Sequence, residues 1–370
     1  TPGPGVCRAG SIRFRATQKK QAITGSCACI FFGVRTGGLV RSLLKDSQTF
    51  PPNLERSKEK RLDYRQRTLR SEVSCTGIGL HSGAKAGLTL RPAPPDTGVR
   101  FIRGDLPGRP EIPAVNGNVT ETNLSTSVGR NGTGVSTVEH LMAALYGLGI
   151  DNVAVEVDGP EVPIMDGSSA PFVFLIKSAG IREQKTPKRF LVIRKRFSVE
   201  DGNRSITIHP SRELKITYTI DFNHPLLQNQ THELRFSGGE FVREISRART
   251  FGFLKDIQLL WDNGLAMGGS LDNAIVIDDF RVLNEDGLRY PDEFVRHKIL
   301  DFLGDLALLG KPVIGHFVVE KSGHFLNQVM LRELIRAGKH WEIRSFEDPE
   351  EVVENRLRIP AFGALEPLPA

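Results

Sequence analysis

Hydrophobic and polar positions in the last third of the chain predict one long helix over residues 291–310. Apolar residues fill most of this segment, and three ionisable residues, His297, Asp301 and Asp305, interrupt them at a spacing of four. That spacing places the three side chains on a single stripe of an α-helix. Acidic residues begin the segment, and a glycine and a proline end it. The apolar surface around the stripe indicates a helix that is buried on nearly all sides.

Ionisable side chains on a buried helix cost free energy unless another group compensates them. An imidazole and a carboxylate one turn apart are able to reach one Zn²⁺ ion through bonds of about 2 Å, with the next carboxylate left to orient the ligands. A structural hydrogen bond between His297 and Asp301 would explain the pattern as well. The helix alone therefore leaves both interpretations open.

The rest of the chain alternates predicted strands with two further helices. The first half contains predicted strands at residues 66–75, 86–90, 99–103 and 152–157. Its helices are predicted at residues 135–147, capped by Ser136 or Thr137, and near residues 170–178. The second half contains predicted strands at residues 190–193, 205–210, 215–220 and 313–321. Runs of strands separated by helices predict an α+β fold and not a doubly wound sheet.

A polar segment, residues 182–188, predicts a linker between two halves. The predicted organisation is a basic leader without structure (1–62), an N-terminal domain (63–182), a C-terminal domain that carries the His-x-x-x-Asp helix (188–350) and a tail (351–370). Each half contains a helix with His two residues after Val, at His140 and His297. This weak similarity is consistent with an internal duplication.

Charge and cysteine content narrow the class of protein. The 370 residues carry a net charge of +6, but twelve Lys and Arg against three acidic residues lie within residues 1–62. Because the excess belongs to the leader, we predict no nucleic-acid partner; binding through the leader would instead be salt-sensitive and lost on its removal. Three of the four cysteines also lie there, which predicts no disulfide framework. No apolar run approaches the length of about 20 residues that spans a bilayer. We expect a cytoplasmic protein, although an Arg-rich leader is also typical of organelle transit peptides.

Glu139 and His140 are candidates for two groups that the long helix lacks, a general base and a third metal ligand. His140 is a candidate third ligand, and two His with one Asp leave a fourth position open, as in catalytic zinc sites. Glu139, next to that ligand, is then a candidate general base for an activated water. On spacing alone, however, we favour a structural role, because residues 136–139 match an S-x-x-E capping box, in which Glu139 only closes the helix N-terminus.

His324 follows a predicted strand within Ser-Gly-His, where it is either a general acid or an ordinary surface histidine. Thr250 and Phe251 place a hydroxyl and an aromatic ring in a segment that is otherwise an ordinary turn. The sequence contains no P-loop, no dinucleotide fingerprint at a strand–helix junction, and no G-x-S-x-G. These absences disfavour phosphoryl transfer, hydride transfer and serine hydrolysis.

Five segments together resemble the UDP-3-O-acyl-N-acetylglucosamine deacetylases, the zinc enzymes that commit precursor to lipid A synthesis. They are Ser-Thr-Val-Glu-His-Leu (136–141), Gly-Pro-Glu-Val-Pro-Ile-Met-Asp-Gly-Ser (159–168), Ala-Arg-Thr-Phe-Gly-Phe (248–253), Arg-His-Lys-Ile-Leu-Asp-Phe-Leu-Gly-Asp (296–305) and Ser-Gly-His (322–324). The resemblance covers about residues 66–350 and leaves the leader without a counterpart. It implies two similar α+β domains, each with β-sheets packed against paired helices, and an active site between them.

The resemblance also implies roles for individual residues. Zn²⁺ would bind His140, His297 and Asp301, and Asp305 would support these ligands. Glu139 would be the general base, in preference to the helix cap, and His324 would protonate the leaving amine. The remaining implied residues are Lys298 and Thr250 near the reacting amide, Phe251 near the substrate, and His81 at the border of the cleft.

The implied reaction removes the N-acetyl group of a UDP-linked acylated amino sugar and releases acetate. An acetamide is a poor electrophile, so its hydrolysis needs a polarised carbonyl, an activated water and a proton for the amine. Two alternatives remain at this stage, a zinc amidase for another amide and a non-catalytic protein that zinc stabilises. We favour a monomer, although the sequence does not fix the oligomeric state.

Overall fold

The computed structural model describes residues 64–347 and 356–362. The predicted leader lies outside these residues. The strands of the N-terminal half are β1 (Arg65–Leu69), β2 (Val73–Ile78), β3 (Lys85–Pro92), β4 (Val99–Arg103), β5 (Glu111–Pro113), β6 (Val119–Glu121), β7 (Ser127–Arg130), β8 (Thr133–Val135), β9 (Val153–Asp158) and β10 (Ile181–Pro187). Those of the C-terminal half are β11 (Arg189–Ile193), β12 (Phe197–Asp201), β13 (Arg204–His209), β14 (Leu214–Ile220), β15 (Gln230–Arg235), β16 (Phe251–Phe253), β17 (Ile275–Ile277), β18 (Val313–Glu320) and β19 (Trp341–Ser345).

Helices occupy both halves of the described chain. They are α1 (Glu139–Gly147), α2 (Ala170–Ala179), α3 (Gly238–Glu240), α4 (Leu254–Asp262), α5 (Glu293–Ala307) and α6 (His324–Arg336). A 3₁₀ turn covers Asn116–Asn118, and a π-helical turn covers Phe241–Ile245. The fold is mixed α+β, as the sequence predicted.

Two larger sheets organise the strands. In the N-terminal half, the strand order is β2-β3-β9-β4-β5, and β4 runs parallel to β9. In the C-terminal half, β18 pairs with β13, β11 and β14, so this single strand joins the second sheet together. A small sheet, β6-β7-β8, and the parallel pair β16–β17 accompany them. The division into two domains stays a prediction.

Helix α5 packs between α1 and the second sheet. Its apolar side chains are buried, and Phe302 makes edge-to-face contacts with Tyr218 of β14 and Phe317 of β18. On the other side, a Cβ atom at Gly304 would lie 2.1 Å from the carbonyl oxygen of Glu139. Only glycine permits this approach of the two helices. As a result, the first turn of α1 lies beside the ionisable stripe of α5.

Three predictions about local structure are wrong. The strand predicted over 66–75 is two strands, β1 and β2. The predicted linker 182–188 is largely β10, which pairs antiparallel with β1. The polar side chains of this segment suggested an exposed linker. One of them, Gln184, is instead buried, and its Oε1 accepts a hydrogen bond from the amide of Asn152.

The third wrong prediction concerns the start of α1. The helix begins at Glu139 after Val138, and the backbone N–H of Ser136 donates to the carbonyl oxygen of Pro160. The capping box is therefore not formed, since Ser136 lies outside the helix and its N–H already has a partner.

Part of the predicted tail packs on the described core. Leu357 and Ile359 are buried with Phe190, Ile314 and Phe346. Phe362 is also buried, and the carbonyl oxygen before it accepts a hydrogen bond from Gly238. Residues 356–362 thus belong to the folded structure. Within the described residues, none of the helices is long and apolar enough to cross a membrane.

Candidate active site

Three side chains from α1 and α5 converge on one buried point. Nε2 of His297 lies 3.3 Å from Oδ1 of Asp301, and Nε2 of His140 lies 3.5 Å from the same oxygen. All three residues are at most 4% exposed. The predicted stripe on α5 is thus real, and α1 supplies the histidine that the long helix lacked.

The spacing and the hydrogen bonds of this triad fit a metal ion. Ligand atoms bound at about 2.0–2.2 Å in tetrahedral geometry lie about 3.3–3.6 Å apart. Oδ1 of Asp301 and Nδ1 of His140 are buried and have no hydrogen-bond partner among the described residues. An unpartnered carboxylate oxygen between two imidazoles is costly unless a cation shares the space. The triad could therefore hold a metal ion.

The tautomer of His297 supports the same conclusion. Its Nδ1 lies 3.1 Å from the carbonyl oxygen of Ala248, which only accepts hydrogen bonds. Nδ1 therefore carries the proton, and Nε2 presents a lone pair to Asp301. Burial lowers the pKa of His297 to about 3, so this imidazole is neutral at physiological pH. A neutral imidazole is the form that binds metal ions.

Asp301 is the anionic member of the triad. Burial alone would raise the pKa of its carboxyl, but the positive charges of the neighbouring Lys298 and His324 hold that pKa well below the usual range. Nζ of Lys298 donates to Oδ2 of Asp301 at 2.5 Å. This bond fixes the carboxylate so that its other oxygen faces the two histidines.

Glu139 lies at the edge of the triad, where it makes no helix cap. Its Oε2 accepts a hydrogen bond from the backbone N–H of Thr126 at 3.0 Å, and its Oε1 lies 3.9 Å from Nε2 of His324. The side chain is 3% exposed. Burial raises its pKa, although the nearby His324 and His140 oppose the shift. A carboxylate made more basic in this way is suited to accepting a proton.

His324 is the first residue of α6 and is buried, not a surface histidine in a loop. Its Nδ1 lies 2.9 Å from Oδ2 of Asp305, and its Nε2 lies 3.8 Å from Oδ2 of Asp301. Burial alone would lower its pKa, but the carboxylates of Asp305, Asp301 and Glu139 raise it to about 9. The imidazole therefore carries a proton at neutral pH.

Asp305 contacts His324 through its carboxylate. That carboxylate also accepts hydrogen bonds from Thr126, Asn327 and Gln328. The sequence resemblance implied support for the metal ligands, whereas the observed hydrogen bonds lead to the imidazole. Sequence reasoning missed these three polar partners. Asn327 and Gln328 follow His324 by one helical turn, a signal that required α6 to be recognised as a helix.

A cavity of about 530 Å³ opens onto these groups. Its walls include His140, Glu139, His297, Asp301, Lys298, His324, Thr250 and Phe251. Phe251 lies with its ring edge-on to His297, and the ring centroids are 6.2 Å apart. The structure therefore brings eight of the ten predicted site residues to one cavity.

A second, apolar cavity of about 400 Å³ adjoins the first. The two cavities share Leu80, Leu124, Thr250, Phe251, Gly252 and Leu260 as wall residues. His81, α4 and residues 266–283 line the rest. Such a cavity suits a long apolar group attached to whatever occupies the polar cavity.

His81 lies on the wall of the apolar cavity and not beside the triad. Its backbone N–H donates to Oε1 of Glu161 at 2.9 Å, and Glu161 also accepts from Ser82 and Thr137. One buried carboxylate thus holds the His81 loop in place. Burial lowers the pKa of the His81 imidazole against the opposing charge of Glu161.

Three groups that could hold a metal ion, with a carboxylate and a protonated imidazole beside them in a cavity, are typical of metal-dependent hydrolases. Comparison with known proteins agrees with this class. A family model described as "LpxC: UDP-3-O-acyl N-acetylglycosamine deacetylase" matches residues 66–336.

Individual relatives carry the same name, UDP-3-O-acyl-N-acetylglucosamine deacetylase. The protein of Myxococcus xanthus is 57% identical over 280 residues, which cover 76% of this chain and 89% of the relative. That of Hahella chejuensis is 55% identical over 296 residues, or 80% and 98% of the two chains. That of Coxiella burnetii is 51% identical over 290 residues, or 78% and 96%. The chain belongs to the UDP-3-O-acyl-N-acetylglucosamine deacetylase family, and the predicted class, a hydrolase acting on an amide, is confirmed.

Proposed function

We propose that this chain removes the N-acetyl group of UDP-3-O-(3-hydroxyacyl)-N-acetylglucosamine, giving the free 2-amine and acetate. In this role it would catalyse the committed step of lipid A synthesis. The observation that carries the proposal is the buried triad of His140, His297 and Asp301 in a polar cavity that adjoins an apolar one. The polar cavity suits the acetamide, and the apolar cavity suits the acyl chain.

We further propose that the triad binds Zn²⁺. Two imidazoles and one carboxylate are a ligand set that catalytic zinc sites use. When bound, the ion would polarise the acetamide carbonyl and make water a stronger nucleophile at neutral pH. His140, His297 and Asp301 would hold it, with Lys298 and the carbonyl oxygen of Ala248 orienting Asp301 and His297.

Two neighbouring side chains beside the triad would carry out the acid–base chemistry, since Nε2 of His324 lies 3.9 Å from Oε1 of Glu139. Glu139 accepts the proton of the attacking water, since its Oε1 faces the cavity from the first turn of α1. His324 donates a proton to the leaving amine through Nε2, which faces Glu139 and Asp301. Lys298 and Thr250 line the cavity where the reacting amide would lie, and each has a polar group to offer its oxygen.

Substrate variants test this proposal against an amidase for other amides. We would load the purified chain with Zn²⁺ and measure acetate release from three compounds: the full substrate, an analogue without the acyl chain, and free acylated N-acetylglucosamine without UDP. Only the full substrate should turn over efficiently. Equal turnover of the analogue without the acyl chain would contradict the role of the apolar cavity.

A substitution in the apolar cavity tests whether the acyl chain binds there. Ala274 lines the apolar cavity but not the polar one. Ala274→Phe should therefore lower kcat/KM for a long-chain substrate by about tenfold or more, with a smaller effect on a short-chain analogue. An equal loss for both chain lengths would show that the cavity does not hold the acyl group.

A non-catalytic protein stabilised by zinc makes a different prediction. Removal of the metal would then unfold the chain, whereas our proposal expects loss of turnover from a chain that stays folded. Circular dichroism with and without a chelator separates the two outcomes.

A further inference from the structure

Asp305 uses every acceptor site that a carboxylate has. Oδ1 accepts from Thr126 Oγ1 at 2.6 Å and from Gln328 Nε2 at 3.0 Å. Oδ2 accepts from Asn327 Nδ2 at 2.8 Å and faces Nδ1 of His324 at 2.9 Å. Three neutral donors fill three of the roughly four lone-pair positions of this carboxylate, the fourth faces Nδ1, and an ionised carboxylate only accepts hydrogen bonds. Nδ1 of His324 must therefore be the donor in that contact.

The two amides that contribute to this arrangement cannot easily rotate by half a turn. Oδ1 of Asn327 accepts from the hydroxyl of Ser322 at 2.7 Å. Oε1 of Gln328 accepts from Nδ2 of Asn116 at 2.8 Å. Because each amide oxygen accepts a hydrogen bond from a residue other than Asp305, the NH₂ group of each amide is the part that faces Asp305. Both amide residues are 1% exposed.

Asn116 connects this network to the opposite half of the chain. It begins the 3₁₀ turn between β5 and β6, and its backbone N–H donates to the carbonyl oxygen of Leu308, just after the end of α5. Neither Asn327 nor Gln328 is among the residues that line the polar cavity. Their side chains instead reach the site by donating hydrogen bonds to Asp305.

We propose that Asn327 and Gln328 are positioning residues, which fix Asp305 so that His324 keeps its Nδ1 proton and exchanges protons only at Nε2. This inference rests on the proposed role of His324 as the proton donor to the amine. Without the two amides, Asp305 would be free to rotate, and the imidazole would lose its fixed orientation. The amides differ from ordinary buried polar groups because their donors converge on one carboxylate.

Gln328→Glu tests the proposal with the smallest change in shape. The variant replaces a donor that faces Oδ1 of Asp305 with a second carboxyl group. We expect kcat to fall by about 10- to 100-fold, as is usual for groups that orient a functional residue. KM should stay near the wild-type value because the side chain does not line the cavity. The zinc content should also be unchanged.

Asn116→Asp tests the same network from a residue further from the imidazole. A carboxylate there would attract the NH₂ group of Gln328 and turn its oxygen toward Asp305. The expected effect is again a lower kcat with unchanged KM. Asn118→Asp is the matched control, since it adds the same charge on the same turn, while among the described residues the side-chain amide of Asn118 donates only to the carbonyl oxygen of Pro113. We expect that control to keep wild-type kcat.

A spectroscopic measurement separates positioning from general destabilisation. In chain labelled with ¹⁵N-histidine, the Nδ1–H signal of His324, assigned through His324→Gln, should shift or vanish in Gln328→Glu and Asn116→Asp. Melting temperatures would identify any variant that fails to fold. If Gln328→Glu does not fold, the comparison of Asn116→Asp with Asn118→Asp still tests the inference. Wild-type kcat and an unchanged Nδ1–H signal in both variants would overturn the inference. An inactive wild-type chain would instead contradict the proposed function.

Discussion

Asp301 and Asp305 lie one turn apart on the same helix, equally buried, yet their surroundings are opposite. Among the described residues, Asp301 keeps one oxygen without a hydrogen-bond partner, facing two imidazoles, whereas Asp305 has a partner at every acceptor site. The unpartnered oxygen indicates a place for a group from outside the chain. The saturated carboxylate indicates a role inside the chain, as the anchor of His324.

A third carboxylate on α5 completes the comparison. Glu293, at the start of the helix, accepts hydrogen bonds from the backbone and guanidinium of Arg249 and from the backbone of Arg289. Both Glu293 and Arg249 are almost fully buried. This pair fastens the segment that carries Thr250 and Phe251 to the helix that carries the triad. One helix thus presents three carboxylates in three settings: Asp301 could hold a metal ion, Asp305 contacts an imidazole, and Glu293 pairs with a buried guanidinium.

The largest effect should follow from removing a member of the triad. His297→Ala leaves two protein ligands for the metal, so bound zinc and turnover should both be lost. Metal analysis by mass spectrometry, together with an acetate-release assay, measures the two quantities. Stoichiometric zinc in this variant would refute the assignment of the triad.

Glu139→Gln should have the next largest effect. The amide keeps the shape of the side chain but cannot accept the proton of water, so turnover should fall by about 10²- to 10⁴-fold while zinc is retained. Were Glu139 important only for helix α1, the variant would instead lose stability and keep its turnover. Thermal melting and steady-state kinetics on the same sample distinguish these results.

Arg249→Met should have the smallest effect on turnover and a large effect on stability. It leaves Glu293 buried without its cation, which typically costs about 3–5 kcal/mol. Urea unfolding would report this loss, while kcat per folded molecule should stay closer to wild type than in Glu139→Gln. A normal unfolding free energy would show that the pair contributes little.

Much of the polar stripe could be predicted from sequence because it is local. His297, Asp301 and Asp305 follow helical periodicity within an apolar run, and that pattern needs no knowledge of the rest of the chain. The different surroundings of the two aspartates could not be predicted in this way. Their partners, Thr126 and Gln328 among them, come from distant parts of the sequence.

Local patterns also produced the errors. The S-x-x-E motif at 136–139 predicts a helix cap, but Glu139 finds the N–H of Thr126 and Ser136 finds Pro160, which are contacts that only the folded chain provides. Similarly, the polar residues of β10 predict a linker because their partners across β1 are more than a hundred residues away. In both places, hydrogen bonds to residues distant in the sequence determine the structure, and the local sequence pattern does not.

The most direct test compares Asp301→Asn with Asp305→Asn. Each variant removes one negative charge from the same helix and keeps the side-chain shape, so they are matched controls for each other. We would measure zinc stoichiometry after dialysis against a weak chelator, and kcat after reconstitution with zinc. The account predicts that Asp301→Asn loses its zinc, whereas Asp305→Asn keeps zinc and loses turnover. Equal zinc retention in the two variants, or zinc loss from Asp305→Asn alone, would contradict it.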